Sequence, residues 1–257
     1  MTPTREVVDY LDALLETAVI PDYPNALNGL QLSNGGSVTK AAACVDFSSR
    51  AVSRAVAEGA DLLILHHGMF WNGLRPVTSH AYERMRLLIE NGVAVYASHL
   101  PLDRHPTFGN NTLLCRQLRL TPSGEFAKFK NISIGLSGHA DIATVDLVER
   151  ARVFARTHGG DVVATSFPAD HRTLHWAVCT GAGASMDSLA EAAALGVDTL
   201  IVGEGPHHTA VEAAEIGIVV IYAGHYATET LGVAAIAEHL SAKFGIDWTM
   251  IHAPTGL

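Results

Sequence analysis

The sequence predicts an α/β protein built from two related lobes, and three observations predict it. Short apolar runs alternate with helical periodicity along all 257 residues. The alternation repeats as strand, helix, strand, helix, strand: once through "AAACVDF", "AEGADLLILHHG", "YERMRLLIENG" and "VAVYASH", and again through "HWAVCTGAGAS", "AALGVDTLIVGEG", "HHTAVEAAEIG" and "IVVIYAGH". Landmarks within the two copies also coincide. Cys44 matches Cys179, Gly59-x-Asp61 matches Gly196-x-Asp198, and Gly92 matches Gly217, each leading into a strand that ends at His99 or His225. The lobes are expected at 1–125 and 126–257.

The elements follow in order. The opening "MTPTREVVDYLDALLE" reads as an amphipathic helix, with Val7, Val8, Leu11, Leu14 and Leu15 on one face and Thr2-Pro3 as its start signal. "LILHHGMFWNG" (Leu63 to Gly73) is a buried strand that ends in two adjacent histidines, with Gly68 expected to let the backbone turn. "ASHLPLDRH" follows the next strand, and Pro101 favours an extended turn there over a helix. Residues 121–140, where Pro, Gly and Ser cluster and periodicity lapses, read as the connection between lobes. In "AGHYATETLGVAAIAEHL" the spacing of Leu231, Ala234, Ala235 and Leu240 predicts a helix.

Composition bounds the function. With 48% hydrophobic and 17% charged residues the chain is globular, and its net charge of −9 makes it a poor candidate for nucleic-acid binding. The start carries no signal-peptide pattern, and no apolar run approaches the roughly 18 residues of a membrane span. Cys44, Cys115 and Cys179 are odd in number and form no C-x-x-C, so they read as buried thiols of a cytoplasmic protein. Fourteen histidines stand out.

Those histidines gather at predicted strand ends. His225 and Glu229 are four apart at a helix start and point at one spot. His99 and Asp103 repeat that spacing, and His66-His67 end a third strand. The carboxyl edge of an α/β sheet is where ligands bind, and imidazole with carboxylate suits a divalent Zn, Fe or Mn ion. Adjacent strand residues point to opposite sides, so His66 and His67 are expected to serve two different ions of a pair, bridged by Glu229. Two such ions with a bridging hydroxide perform hydrolysis.

"LHHGMFWNG", "SHLPLDRHPTFGNN", "CTGAG" and "AGHYATE", in this order and spacing, together with "NGLQL" (Asn28 to Leu32), resemble the Nif-three-like family, whose bacterial members are labelled GTP cyclohydrolase 1 type 2 homologues. The chain looks like the short form without an inserted domain. The resemblance implies a two-metal site in which His66 and Asp103 hold one ion, His67 and His225 the other, and Glu229 bridges. It leaves His99 and His105 behind the ligands, orienting them or moving protons. It also implies a ring-shaped homohexamer and a small-molecule substrate such as a nucleotide, with attack on a C–N or phosphoester bond. A metal-binding, metal-delivery or regulatory protein without catalysis is the alternative. Three weaker features remain. "CTGAGASM" is a turn able to receive an anion, His207 and His208 start a further helix, and Phe70-Trp71 supply aromatic surface.

Overall fold

The structure, a computed structural model, describes residues 1–257. The chain divides into two compact units, Met1–Leu102 with Gly232–Ala253, and Asp103–Leu231 with Pro254–Leu257. The first stretch contains β1 (Thr2–Pro3), α1 (Thr4–Leu14), β2 (Gly29–Leu32), β3 (Ser37–Val38), β4 (Lys40–Asp46), α2 (Ser49–Ala57), β5 (Leu62–His67), α3 (Ser79–Glu90) and β6 (Ala94–Ala97). The short α4 (Leu100–Asp103) follows, and the chain passes into the second unit within it. There it forms α5 (Asn110–Leu118), β7 (Gly124–Phe129), β8 (Ile132–Ala143), α6 (Thr144–Thr157), β9 (Val163–Ala164), β10 (Arg172–Cys179), α7 (Met186–Leu195), β11 (Thr199–Val202), α8 (His207–Glu215) and β12 (Val219–Tyr222). The long α9 (His225–Phe244) begins in the second unit and ends in the first, followed by β13 (Asp247–Met250).

The first unit is built on a five-stranded sheet, β13-β4-β5-β6-β2. The strands β13, β4, β5 and β6 run parallel, and β2 is antiparallel to β6. Every residue of β5 is buried, as expected of an inner parallel strand covered on both faces. One core cluster joins Ala42, Cys44, Leu63, Leu65 and Val95 of the strands to Val52 and Ala55 of α2 and Leu88 of α3. Ser48 starts α2 by accepting a hydrogen bond from Ala51 N–H at 3.1 Å. Helix α1 buries Val7, Val8 and Leu11, with Leu15 just beyond its end. Its start differs from expectation, because Thr2 and Pro3 pair with Val38 and Ser37 as a small antiparallel ribbon.

The second unit carries a six-stranded sheet, β7-β8-β10-β11-β12-β9. Strands β10, β11 and β12 are parallel, β8 and β9 flank them antiparallel, and β7 is paired to β8. Alternation along β10 divides its faces. Trp176 and Val178 pack with Leu147, Ala151 and Phe154 of α6, while Ala177 and Cys179 pack with Leu189 and Ala192 of α7.

Each unit thus contains three parallel strands in chain order, linked by helices, with an antiparallel strand beside the third. The matched landmarks do the same work in both. Asp61 accepts from Thr39 N–H and Lys40 N–H at 2.8 and 3.2 Å, and Asp198 accepts from Leu174 N–H and His175 N–H at 2.9 and 2.8 Å. Gly59 and Gly196 both sit at left-handed φ, +69° and +72°, where each follows a helix.

Three expectations change. The boundary does not fall at 125/126: α5 packs Leu114 and Leu118 into the core of the second unit, and β13 returns to pair with β4 in the first. Residues 121–140 are mostly the β7–β8 hairpin, not a loose connection. Their glycines mark close packing rather than turns, since a Cβ at Gly138 would lie 2.6 Å from the Trp176 ring and one at Gly135 would lie 2.4 Å from the Val178 carbonyl. Pro101 does not prevent a helix at 100–103. In a first turn its missing N–H is not needed. No helix is long and apolar enough to cross a membrane.

Candidate metal centre

In the first unit, β5 delivers His66 and His67, and His99 lies two residues past β6. All three are buried. Ring centroids are 4.8 Å apart for His66–His67, 4.9 Å for His66–His99 and 5.6 Å for His67–His99. One nitrogen from each lies within 4.8 Å of the others. The two neighbouring histidines therefore do not splay to opposite sides as strand alternation predicts, although both lie within β5.

Each ring is held from behind. His66 Nδ1 donates to the Ser98 carbonyl at 3.0 Å, His67 Nδ1 to Asp46 Oδ1 at 2.9 Å, and His99 Nδ1 to Asp22 Oδ1 at 2.9 Å. These oxygens only accept, so a proton sits on each Nδ1, and Nε2 is the ring nitrogen turned away from the acceptor. Asp46 and His67 are register partners at the ends of adjacent parallel strands. Asp22 is itself fixed by Asn28 Nδ2, Leu100 N–H and Tyr23 N–H. Burial works against its charge, yet the bond and charge of His99 and the bonds from Asn28 and Tyr23 N–H hold its carboxyl below the usual range.

The "NGLQ" motif supports this cluster. Asn28 Oδ1 accepts from His99 N–H at 2.8 Å, and Gln31 Oε1 accepts from Met69 N–H at 2.6 Å. Gly68 is needed for space and not for a turn, as a Cβ there would lie 2.4 Å from the Gln31 amide and 2.7 Å from Ala97 Cβ. Trp71 packs against His67 and His99, both at 4.5 Å between centroids.

In the second unit, the donors are Asp103, His225 and Glu229. Asp103 is buried, and Asn110 Nδ2 and Thr180 Oγ1 donate to its Oδ1 at 2.8 and 3.4 Å. His225 opens α9, so the helical return brings Glu229 beside it, with Nε2 and Oε2 3.0 Å apart. His225 Nδ1 lies 2.7 Å from Glu204 Oε1, repeating the pattern of the first unit. Burial lowers the His225 pKa, but Glu229 and Glu204 outweigh it and raise it to about 9. Glu229 is only 2% exposed. It lies against Gly181, where an added Cβ would sit 2.0 Å from Oε1.

Other expected positions resolve differently. His105 Nδ1 accepts from the N–H groups of Thr107 and Phe108, so it shapes its own loop. His207 and His208 are exposed at the start of α8. Two N–H groups of the "CTGAG" turn are taken within the protein, Thr180 N–H by Asn111 Oδ1 and Gly181 N–H by Thr228 Oγ1. The three cysteines are free and buried, and burial pushes Cys44 to about 11, Cys115 to about 12 and Cys179 higher still, so none is a ready thiolate. Sequence reasoning missed the acceptors Asp22, Asp46 and Glu204. The available signal was an acidic residue at the end of β4 and just past β11, next to strands that end in histidine.

Fold and site define a class: a mixed α/β protein whose strand ends carry buried imidazoles and carboxylates able to hold a metal ion. The model of the Duf34/NIF3 family (NGG1p interacting factor 3) matches residues 2–255, and the chain belongs to that family. It is 38% identical over 258 residues to a "GTP cyclohydrolase 1 type 2 homolog" of Deinococcus radiodurans, covering 98% of this chain and 94% of the relative. A protein of the same description from Halobacterium salinarum is 40% identical over 241 residues, covering 93% and 94%. Among solved structures, protein ybgI, titled as of unknown function, matches with a TM-score of 0.89 at 31% identity, covering 100% of both chains.

Proposed function

We propose that the chain is a dinuclear metal-dependent hydrolase, in which His66 and Asp103 would hold one divalent ion, His67 and His225 the other, and Glu229 would serve both. The observation that carries the reading is the shared posture of the histidines. His66, His67, His99 and His225 each keep Nδ1 on an oxygen acceptor and so present Nε2. Such backing is characteristic of metal ligands, whose tautomer and ring plane it fixes.

A pair of divalent ions supplies an activated water and polarises the bond it attacks. The chain's own part is orientation and exclusion. Asp46 and Glu204 fix the ring planes of His67 and His225, Asn110 fixes one oxygen of Asp103, and Trp71 covers His67 and His99. His99, whose Nδ1 is held by Asp22 and whose ring lies 4.9 Å from that of His66, would take or give a proton at Nε2. The relatives' name supports GTP as the first substrate to test, with hydrolysis of a purine C–N bond. The three free buried thiols fit a cytoplasmic protein, and the family likeness supports a homohexamer, which light scattering would measure.

The test is metal content by plasma mass spectrometry beside turnover of GTP, for the wild type and Glu229→Gln. About two equivalents per chain with turnover, both reduced in the variant, is the expected result. Two equivalents without turnover of any nucleotide, phosphoester or cyclic amide would replace the hydrolase with a metal-carrying protein.

A further inference from the structure

Two histidines outside the candidate centre face each other across the sheet of the second unit. His139 of β8 and His175 of β10 are register partners in an antiparallel pair, and their rings stack with centroids 4.2 Å apart and planes at 28°. His139 is exposed and His175 half-buried. The backbone is pinned on both strands. Asp198 Oδ2 accepts from the N–H groups of Leu174 and His175 at 2.9 and 2.8 Å. On the other strand Gly138, the neighbour of His139, lies so close to the Trp176 ring that a Cβ there would be 2.6 Å from it. The two imidazoles, by contrast, exchange no hydrogen bond with any protein group. Fixed strands thus present two rings side by side, with the nitrogens of both open to an incoming group.

Imidazole nitrogen is the ligand that suits zinc, copper and nickel. Zinc–nitrogen bonds of about 2.0–2.1 Å at a tetrahedral angle set two ligand nitrogens about 3.3 Å apart. Rings whose centres are 4.2 Å apart reach that separation by a small rotation of the side chains, with no movement of the backbone. We infer that His139 and His175 chelate a divalent transition-metal ion across β8 and β10, with water completing its coordination. The ion is separate from any held at the candidate centre. His175 precedes Thr180, the residue that reaches Asp103, by five positions of extended chain, and so on the order of 16 Å lies between them. No acceptor stands behind either ring, in contrast to His66, His67, His99 and His225, so this site is looser and exchanges its ion with solvent. The inference does not rest on the hydrolase reading.

The experiment is calorimetric titration of the chelator-treated full chain with Zn(II), Cu(II) or Ni(II). It compares the wild type with His139→Ala, His139→Ala/His175→Ala and Glu229→Gln, each checked for its fold by circular dichroism. One equivalent bound by the wild type at micromolar metal should be missing from the double variant and kept in Glu229→Gln. The single variant should bind that equivalent about tenfold more weakly or worse, because the second imidazole on a fixed strand acts at high effective concentration. Metal should also raise the Tm of Glu229→Gln more than that of the same protein carrying both histidine changes, since the two rings meet only in the folded chain. Equal stoichiometry and affinity in the wild type and the double variant would overturn the site. A loss of only about twofold in the single variant, the mark of two rings binding separately, would overturn chelation. Binding of this equivalent only at millimolar metal, or its loss in Glu229→Gln alone, would do the same. Because no turnover is read, failure of the hydrolase reading leaves these outcomes interpretable.

Discussion

Gly181→Ala isolates the placement of Glu229. Gly181 has φ +63°, and a Cβ built there lies 2.0 Å from Glu229 Oε1 and 3.1 Å from its Cδ, whereas ordinary contact begins at 3.4 Å. The carboxylate must therefore retreat by more than 1 Å. Metal–ligand distances tolerate about 0.2 Å, so such a retreat removes a ligand rather than weakening it. The left-handed backbone adds about 1 kcal/mol for any side chain. Gly196→Ala carries the same backbone strain at φ +72° with nothing within 4 Å, and so serves as the control. Gly196→Ala should lose about 2–4 °C in Tm, and Gly181→Ala at least as much. Only Gly181→Ala should lose metal, to below half the wild-type content by plasma mass spectrometry. A folded Gly181→Ala protein with wild-type metal content would refute the assignment of Glu229 as a ligand.

Further outcomes follow from the acceptors behind the rings. Asp46→Asn and Glu204→Gln should each weaken metal binding about 10–100-fold, measured by competition with a chromophoric chelator. An effect under threefold would mean that ring orientation is set elsewhere. At pH 7 the chelator-treated protein holds a proton on His225, whose pKa of about 9 lies above the ordinary value. Metal must displace that proton, so affinity should rise with pH up to about 9 and level off above it, with proton release seen calorimetrically in buffers of different ionisation enthalpy. Binding independent of pH between 7 and 9 would contradict this. Trp71 lies 4.5 Å from the His67 ring. Cobalt or nickel should therefore quench its fluorescence, and Trp71→Phe should abolish the metal-dependent part while Trp176 and Trp248 continue to emit. Quenching that persists in Trp71→Phe would place the metal elsewhere.

Much of this was legible in the sequence because it is local. The histidines at the ends of β5 and at the start of α9 are readable from apolar runs that stop at imidazoles, and the helical return from His225 to Glu229 fixes their meeting. What supports them is not local. His99 finds Asp22 across 77 positions, and Asn28 reaches His99 across 71. The hairpin at 124–143 was unreadable for another reason. Gly135 and Gly138 look like turn residues but answer to the Val178 carbonyl and the Trp176 ring on β10, a contact that no window along the chain contains.

The repeat explains both where the reading of the site succeeds and where it stops. "DLLILHHG" and "DTLIVGEG" align without a gap, so Glu204 occupies in the second unit the position that His67 occupies in the first. Both lie at or just past the end of a buried strand, and each meets its partner across 21 positions, the length of a strand-to-strand step: Asp46 with His67, Glu204 with His225. In one unit the repeated position presents the imidazole, and in the other it presents the acceptor behind one. Sequence symmetry can therefore indicate that a strand end carries chemistry without indicating which role it plays. His99, the counterpart of His225, shows the same limit. It shares the backed posture of a ligand, yet its acceptor Asp22 comes from the segment before β2, outside the repeated unit. Its role is consequently set by that added segment, and Asp22→Asn, which alters the acceptor while leaving every proposed ligand in place, should change the pH profile of turnover more than the metal content.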